Sequence, residues 1–109
     1  MHVELLYWDG CPSHPEALRD LRAAMSELGL DPGAIAVREI DTDDAADEER
    51  FTGSPTIRID GRDVQDPQGE PVGLTCRVYH RRDGRVSAVP DPDDLRDALR
   101  RALTEQEPA

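Results

Sequence analysis

The chain has 109 residues, with 24 acidic against 13 basic side chains and a formal net charge of −11. A surface of that sign repels phosphate backbones and anionic lipid, which excludes nucleic acids and membrane surfaces as natural partners. Apolar residues make up 37% and charged residues 34%; Leu, Val and Ile still fall in clear runs, so the sequence reads as one folded domain with a modest core.

His2 to Trp8 reads as a short apolar strand, broken by Asp9-Gly10-Cys11-Pro12. A helix follows from Ser13, where Ser13 and Glu16 have capping-box spacing and Pro15 sits in the first turn. Leu18, Leu21, Met25 and Leu28 recur at helical spacing as its buried stripe, and Gly29 with Pro32-Gly33 ends it. Ala34 to Ile40 is a second strand. The acidic stretch Asp41 to Phe51 holds a short solvated helix capped by Thr42 or Asp43, and it lacks the ordered spacing of a calcium loop. Thr56 to Asp60 is a third strand, and Asp60-Gly61 signals a hairpin. Arg62 to Gly73 is a long loop. Leu74 to His80 reads as a fourth strand, and Arg85 to Val89 as a short extended piece. Asp91 caps a last helix with Pro92 at its first position, and Leu95, Ala98, Leu99, Ala102 and Leu103 form its apolar face. Residues from about 104 to 109 read as a frayed tail.

No apolar run approaches the roughly 18 residues of a membrane span. The N-terminal residues show no basic or signal-type segment. Two cysteines in such a chain point to a reducing, cytoplasmic setting. There, a conspicuous cysteine is more often reactive or metal-binding than half of a structural disulfide.

The order is β-α-β-α-β-β-α. It implies a right-handed parallel crossover at the start and a mixed four-stranded sheet with helices on both faces. This α/β order carries Cys11 at the first strand-to-helix junction and Gly53-Ser54-Pro55-Thr56-Ile57 at the entry to the third strand. In both respects the chain resembles the thioredoxin-like superfamily over residues 2 to 103, and in particular small bacterial thioredoxin-family proteins sometimes labelled alkylmercury-lyase-like. The resemblance implies that Cys11 is the nucleophile and that Pro55 is cis in a loop lying beside it. It also implies that Trp8, Ser13, Ser54 and Thr56 border a substrate groove, and that the protein works on protein or small-molecule thiols and disulfides without a cofactor. One departure stands out. The family's Cys-x-x-Cys motif is here Cys11-Pro12-Ser13-His14, so His14 holds the resolving position and exchange within that motif is impossible.

A cysteine at a helix N-terminus meets unpaired N–H groups and the positive end of the helix dipole, which favour the thiolate; the effect is close if Cys11 is the cap and weaker if Ser13 is, which leaves Cys11 two residues outside the helix. His14, one turn along, adds a charge or a hydrogen bond. Cys76 has three readings: it resolves a mixed disulfide at Cys11, it joins Cys11, His14 and His80 in a soft-metal set, or it is a small buried hydrophobe in a strand. A simple four-stranded sheet places the start of the fourth strand at the end far from Cys11, which favours the last. Three functions are therefore expected to compete: monothiol-type thiol–disulfide exchange through Cys11, alone or with Cys76; soft-metal or organomercurial binding or lyase-like chemistry; and a non-catalytic interaction module.

Overall fold

The computed structural model describes residues 1–106. At its centre is β1 (Val3–Tyr7), flanked on one side by β2 (Ile35–Glu39) in parallel and on the other by β3 (Thr56–Ile59) in antiparallel. β4 (Arg62–Asp63) closes the far edge, so the sheet order is β2-β1-β3-β4 and the sheet is mixed. Register runs from Val3 opposite Ile35 to Tyr7 opposite Glu39, and from Val3 opposite Ile59 to Leu6 opposite Thr56.

The apolar run of β1 suits a strand covered on both faces. Val3 and Leu5 join Ile57 and Ile59 against α1 (His14–Glu27) and α3 (Pro92–Gln106), through Leu21, Met25, Leu95 and Leu99. Leu6 points the other way, into a smaller cluster with Ile40, Ala46 and Phe51 beside α2 (Asp43–Glu49). The three helices thus lie on both faces of the sheet.

Local signals set most element ends. Gly29, at φ 73°, follows the last turn of α1, and the Leu30 N–H returns 2.8 Å to the Met25 carbonyl. The Thr42 hydroxyl accepts the Ala45 N–H at 3.0 Å and starts α2. Replacing Thr42 by Ala is expected to destabilise the protein by about 1 kcal/mol, read as a lower urea midpoint at unchanged m-value.

The capping box expected at Ser13 does not form. Ser13 precedes α1 in helical geometry and makes no side-chain cap bond; its hydroxyl lies instead 3.5 Å from the Cys11 sulfur.

The fourth strand is also placed differently. Asp60 (φ 51°) and Gly61 (φ 82°) are both left-handed, the geometry of a two-residue hairpin turn, so the chain folds straight back and Arg62–Asp63 takes the sheet edge beside β3. With that edge taken, residues 74–78 make no ladder with β3. Only β5 (Tyr79–His80) is extended and paired, with β6 (Val86–Ser87), as a separate two-stranded hairpin.

α3 begins as expected. The Asp91 carboxylate accepts the Asp93 N–H at 2.9 Å with one oxygen and the Arg82 N–H at 3.1 Å with the other. These backbone bonds, that of Arg82 foremost, hold the Asp91 carboxyl below its ordinary value of 3.8. A depressed folded-state pKa contributes stability that is complete above the unfolded value and is lost as pH falls through the folded one. Asp91→Asn keeps a capping oxygen but does not titrate. The urea-midpoint gap between wild type and Asp91→Asn is therefore expected to be largest near neutral pH and to close as pH falls through the lowered Asp91 value. The helix runs on to Gln106, three residues into the stretch read as a tail, whereas residues 107–109 lie outside the described residues. Among the described residues no helix is long and apolar enough to cross a membrane.

Candidate functional site

At the end of β1 the chain turns sharply. The Trp8 carbonyl accepts the Cys11 N–H at 3.1 Å. The Trp8 ring folds over Gly10 so closely that a Cβ there would collide with it. This turn brings Cys11 back under the fold just before α1, where the residue is 3% exposed.

The opposing wall is the Phe51–Ile57 segment, every residue of which is buried. The Ser54–Pro55 bond is cis. The Ser54 hydroxyl accepts the Trp8 N–H at 3.0 Å, tying this wall to the Cys11 turn. The Thr56 hydroxyl donates to the Gly53 carbonyl at 2.7 Å. Ser54 and Thr56, expected at a groove, are fully buried, whereas Trp8 and Ser13 are half-buried.

The backbone edge of Ser54 is occupied by the chain itself. Its N–H donates to the Thr75 carbonyl at 2.8 Å, and its carbonyl accepts the Arg77 N–H at 2.9 Å, a parallel bridge centred on Cys76. Cys76 therefore meets Cys11, with Cα atoms 5.5 Å apart and the two sulfurs joined as a disulfide; no cysteine is free. This corrects the expectation that Cys76 starts a strand remote from Cys11 as a buried hydrophobe. It is an exposed residue bonded to a buried one. It opens onto two shallow grooves, one including Pro71, Val72 and Val78 and the other Val78, Val86 and Ala88.

Arg77 holds this segment in place. Its side chain is fully buried and its guanidinium pairs with Asp63 at 2.7 Å; it also donates to the Gln65 carbonyl and stacks over the Tyr79 ring at 4.8 Å. The Tyr79 hydroxyl donates in turn to the Pro55 carbonyl. Burial pushes that phenol well above its ordinary value, so it stays protonated as a donor. Gly53 makes the close approach possible: at φ 138°, a Cβ added to it would lie 3.0 Å from both Cβ and N of Arg77. Gly53→Ala is expected to lower stability by about 2 kcal/mol through overpacking and backbone strain. Gly73→Ala, where a Cβ meets nothing within 4 Å, is expected to stay within about 0.5 kcal/mol of wild type in the same urea titration.

The histidines do not assemble around sulfur. The His14 ring lies flat on Tyr7, with centroids 4.1 Å apart, and its Nδ1 is buried with no hydrogen-bond partner among the described residues. His80 is exposed on β5, its N–H donating to Gln65 Oε1 at 3.0 Å. Among the described residues no group of three or more His, Cys, Asp or Glu is arranged to hold a metal ion, so Cys11, His14, Cys76 and His80 form no such set.

Sequence reasoning missed Arg77, Asp63 and Tyr79, and named Gly53 only as part of the motif before the third strand, not for its close approach to Arg77. A signal for two of them was present: in Cys76-Arg77-Val78-Tyr79 the alternation places Arg77 and Tyr79 on one side and Cys76 and Val78 on the other, and the structure buries the first pair and exposes the second. Comparison of the chain with protein-family models, with curated proteins and with solved structures finds no match in any of the three.

Proposed function

We propose that the protein is a thioredoxin-like thiol–disulfide exchange protein whose redox couple is Cys11 with Cys76. The observation that carries this reading is the pairing of the two sulfurs at the mouth of α1, against the Ser54–Pro55 turn. The missing second cysteine of the first helix is thereby replaced by one 65 residues away in sequence. Support for the fold assignment comes from the parallel β1-α1-β2 crossover, the antiparallel β3 beyond it, and the cis Ser54–Pro55 bond, whose Ser54 is bridged to Cys76.

The chemistry needs no cofactor. A partner thiolate attacks one sulfur of the Cys11–Cys76 bond and forms a mixed disulfide, and the other sulfur leaves as a thiolate. A second partner thiolate then attacks the partner's sulfur in the mixed disulfide. The protein gains two electrons and two protons, and the partner pair becomes a disulfide. Cys11 lies two residues before the Ser13 cap of α1, where the helix end favours its thiolate less than at the cap itself, and the Ser13 hydroxyl stands 3.5 Å from its sulfur. Partners are protein or small-molecule thiols and disulfides of a reducing compartment.

The test is native-state redox titration in glutathione buffers, with thiol alkylation counted by mass. Reversible interconversion of both cysteines without loss of the folded near-ultraviolet signal is expected. A bond that resists reduction until the chain unfolds would identify a fixed structural cross-link and overturn the proposal.

A further inference from the structure

Resting on this exchange reading, we infer that the sulfur attacked first is that of Cys76, and that Cys11, the position expected to act as nucleophile, is the leaving group. Displacement at a disulfide is in line: the incoming thiolate approaches the attacked sulfur from the side opposite the one that leaves. Behind Cys11 lie the Trp8–Cys11 turn and the core, and the residue is 3% exposed. Cys76 is exposed, with shallow grooves on both sides that leave room for a thiol to approach.

The leaving side agrees. A sulfur that departs more readily is one whose thiolate is better stabilised. Cys11 precedes the first turn of the 14-residue helix α1, with the Ser13 hydroxyl 3.5 Å from its sulfur, free to donate once charge develops there. Cys76 lies in an extended segment, at no helix end.

The bonds balance. The partner thiolate forms a bond to Cys76 Sγ while the Sγ–Sγ bond breaks, and its electron pair leaves on Cys11 Sγ. Arg77 and Ser54 keep the Cys76 backbone in place, so the mixed disulfide stays beside the Cys11 thiolate. Either Cys11 returns to expel the partner, or a second thiolate removes the partner's sulfur as a disulfide and leaves Cys76 reduced.

The experiment uses the oxidised wild-type protein. It is mixed with reduced glutathione under native conditions, quenched with acid and N-ethylmaleimide within the first turnover, and mapped by peptide mass spectrometry. Glutathione on Cys76 with maleimide on Cys11 is expected in at least tenfold excess over the reverse labelling. The preference is expected to vanish in denaturing urea, where the fold no longer shields either sulfur. Glutathione found mainly on Cys11, or equally on both in the native protein, overturns the inference while leaving the exchange reading intact. A native protein that yields no adduct and no reduction overturns both.

Discussion

A Cys11→Ala, Cys76→Ala double variant is expected to unfold with a free energy about 4 kcal/mol below that of the oxidised protein. The bond joins residues 65 apart, and closing a loop of that length removes about 4 kcal/mol of chain entropy from the unfolded ensemble. In a domain of this size that corresponds to a melting temperature lower by about 20 °C. Urea unfolding of the variant beside oxidised and reduced wild type measures the effect. Reduced wild type should fall close to the variant, because both lack the same constraint. If the fold stabilises the bond, the bond stabilises the fold by the same amount. A 4 kcal/mol gap therefore also means that folding raises the tendency of the two thiols to pair about a thousandfold. A gap under about 1 kcal/mol would mean that the unfolded chain already holds the two segments together.

The elements foreseen correctly are those whose cause is local. Thr42 has its acceptor three residues before the N–H that it caps, Asp60-Gly61 supplies two left-handed residues in a row, and Asp91-Pro92 supplies an acceptor followed by a residue that has no N–H to lose. Periodicity likewise found the faces of α1 and α3. Ser13 had an equally local signal and failed, since its hydroxyl is drawn to the neighbouring sulfur. The stretch from Cys76 to Tyr79 alternates like a strand, and its side chains do alternate in burial. The backbone bonds on either side of Cys76, from Thr75 and Arg77, nevertheless go to Ser54, twenty-odd residues back, and not to a neighbouring ladder. Pattern reports which side faces inward; it does not report which backbone supplies the partner. The position of Cys76 depends on that partner, so the pairing with Cys11 could be named as one of three readings but not selected.

The same segment carries the second large effect. Arg77→Met is expected to destabilise the protein by about 4 kcal/mol at pH 7, because breaking a buried pair leaves one charge behind without compensation. The Arg77 side chain is fully enclosed and that of Asp63 is 12% exposed. Burial already pushes the Asp63 carboxyl above its ordinary value, with the Arg77 hydrogen bond opposing that rise. Without the guanidinium only the Gln65 N–H and the more distant Arg58 still oppose the rise. The loss should therefore shrink as pH falls through the raised Asp63 value, where the carboxyl takes up a proton and stops being a buried charge. An Arg77→Met, Asp63→Leu double variant removes both charges and is expected to recover most of the stability. The double-mutant cycle, by urea unfolding at pH 7, should give a coupling above 2 kcal/mol, and one under 0.5 kcal/mol would show that Asp63 does not depend on Arg77. The redox consequence separates anchoring from folding. With Met at position 77 the backbone bonds to Ser54 remain but the side-chain tether to Asp63 and Gln65 is gone. Cys76 then wanders further from Cys11. Closure of the bond from the Cys76 mixed disulfide should slow by at least tenfold, even in conditions where the variant is fully folded.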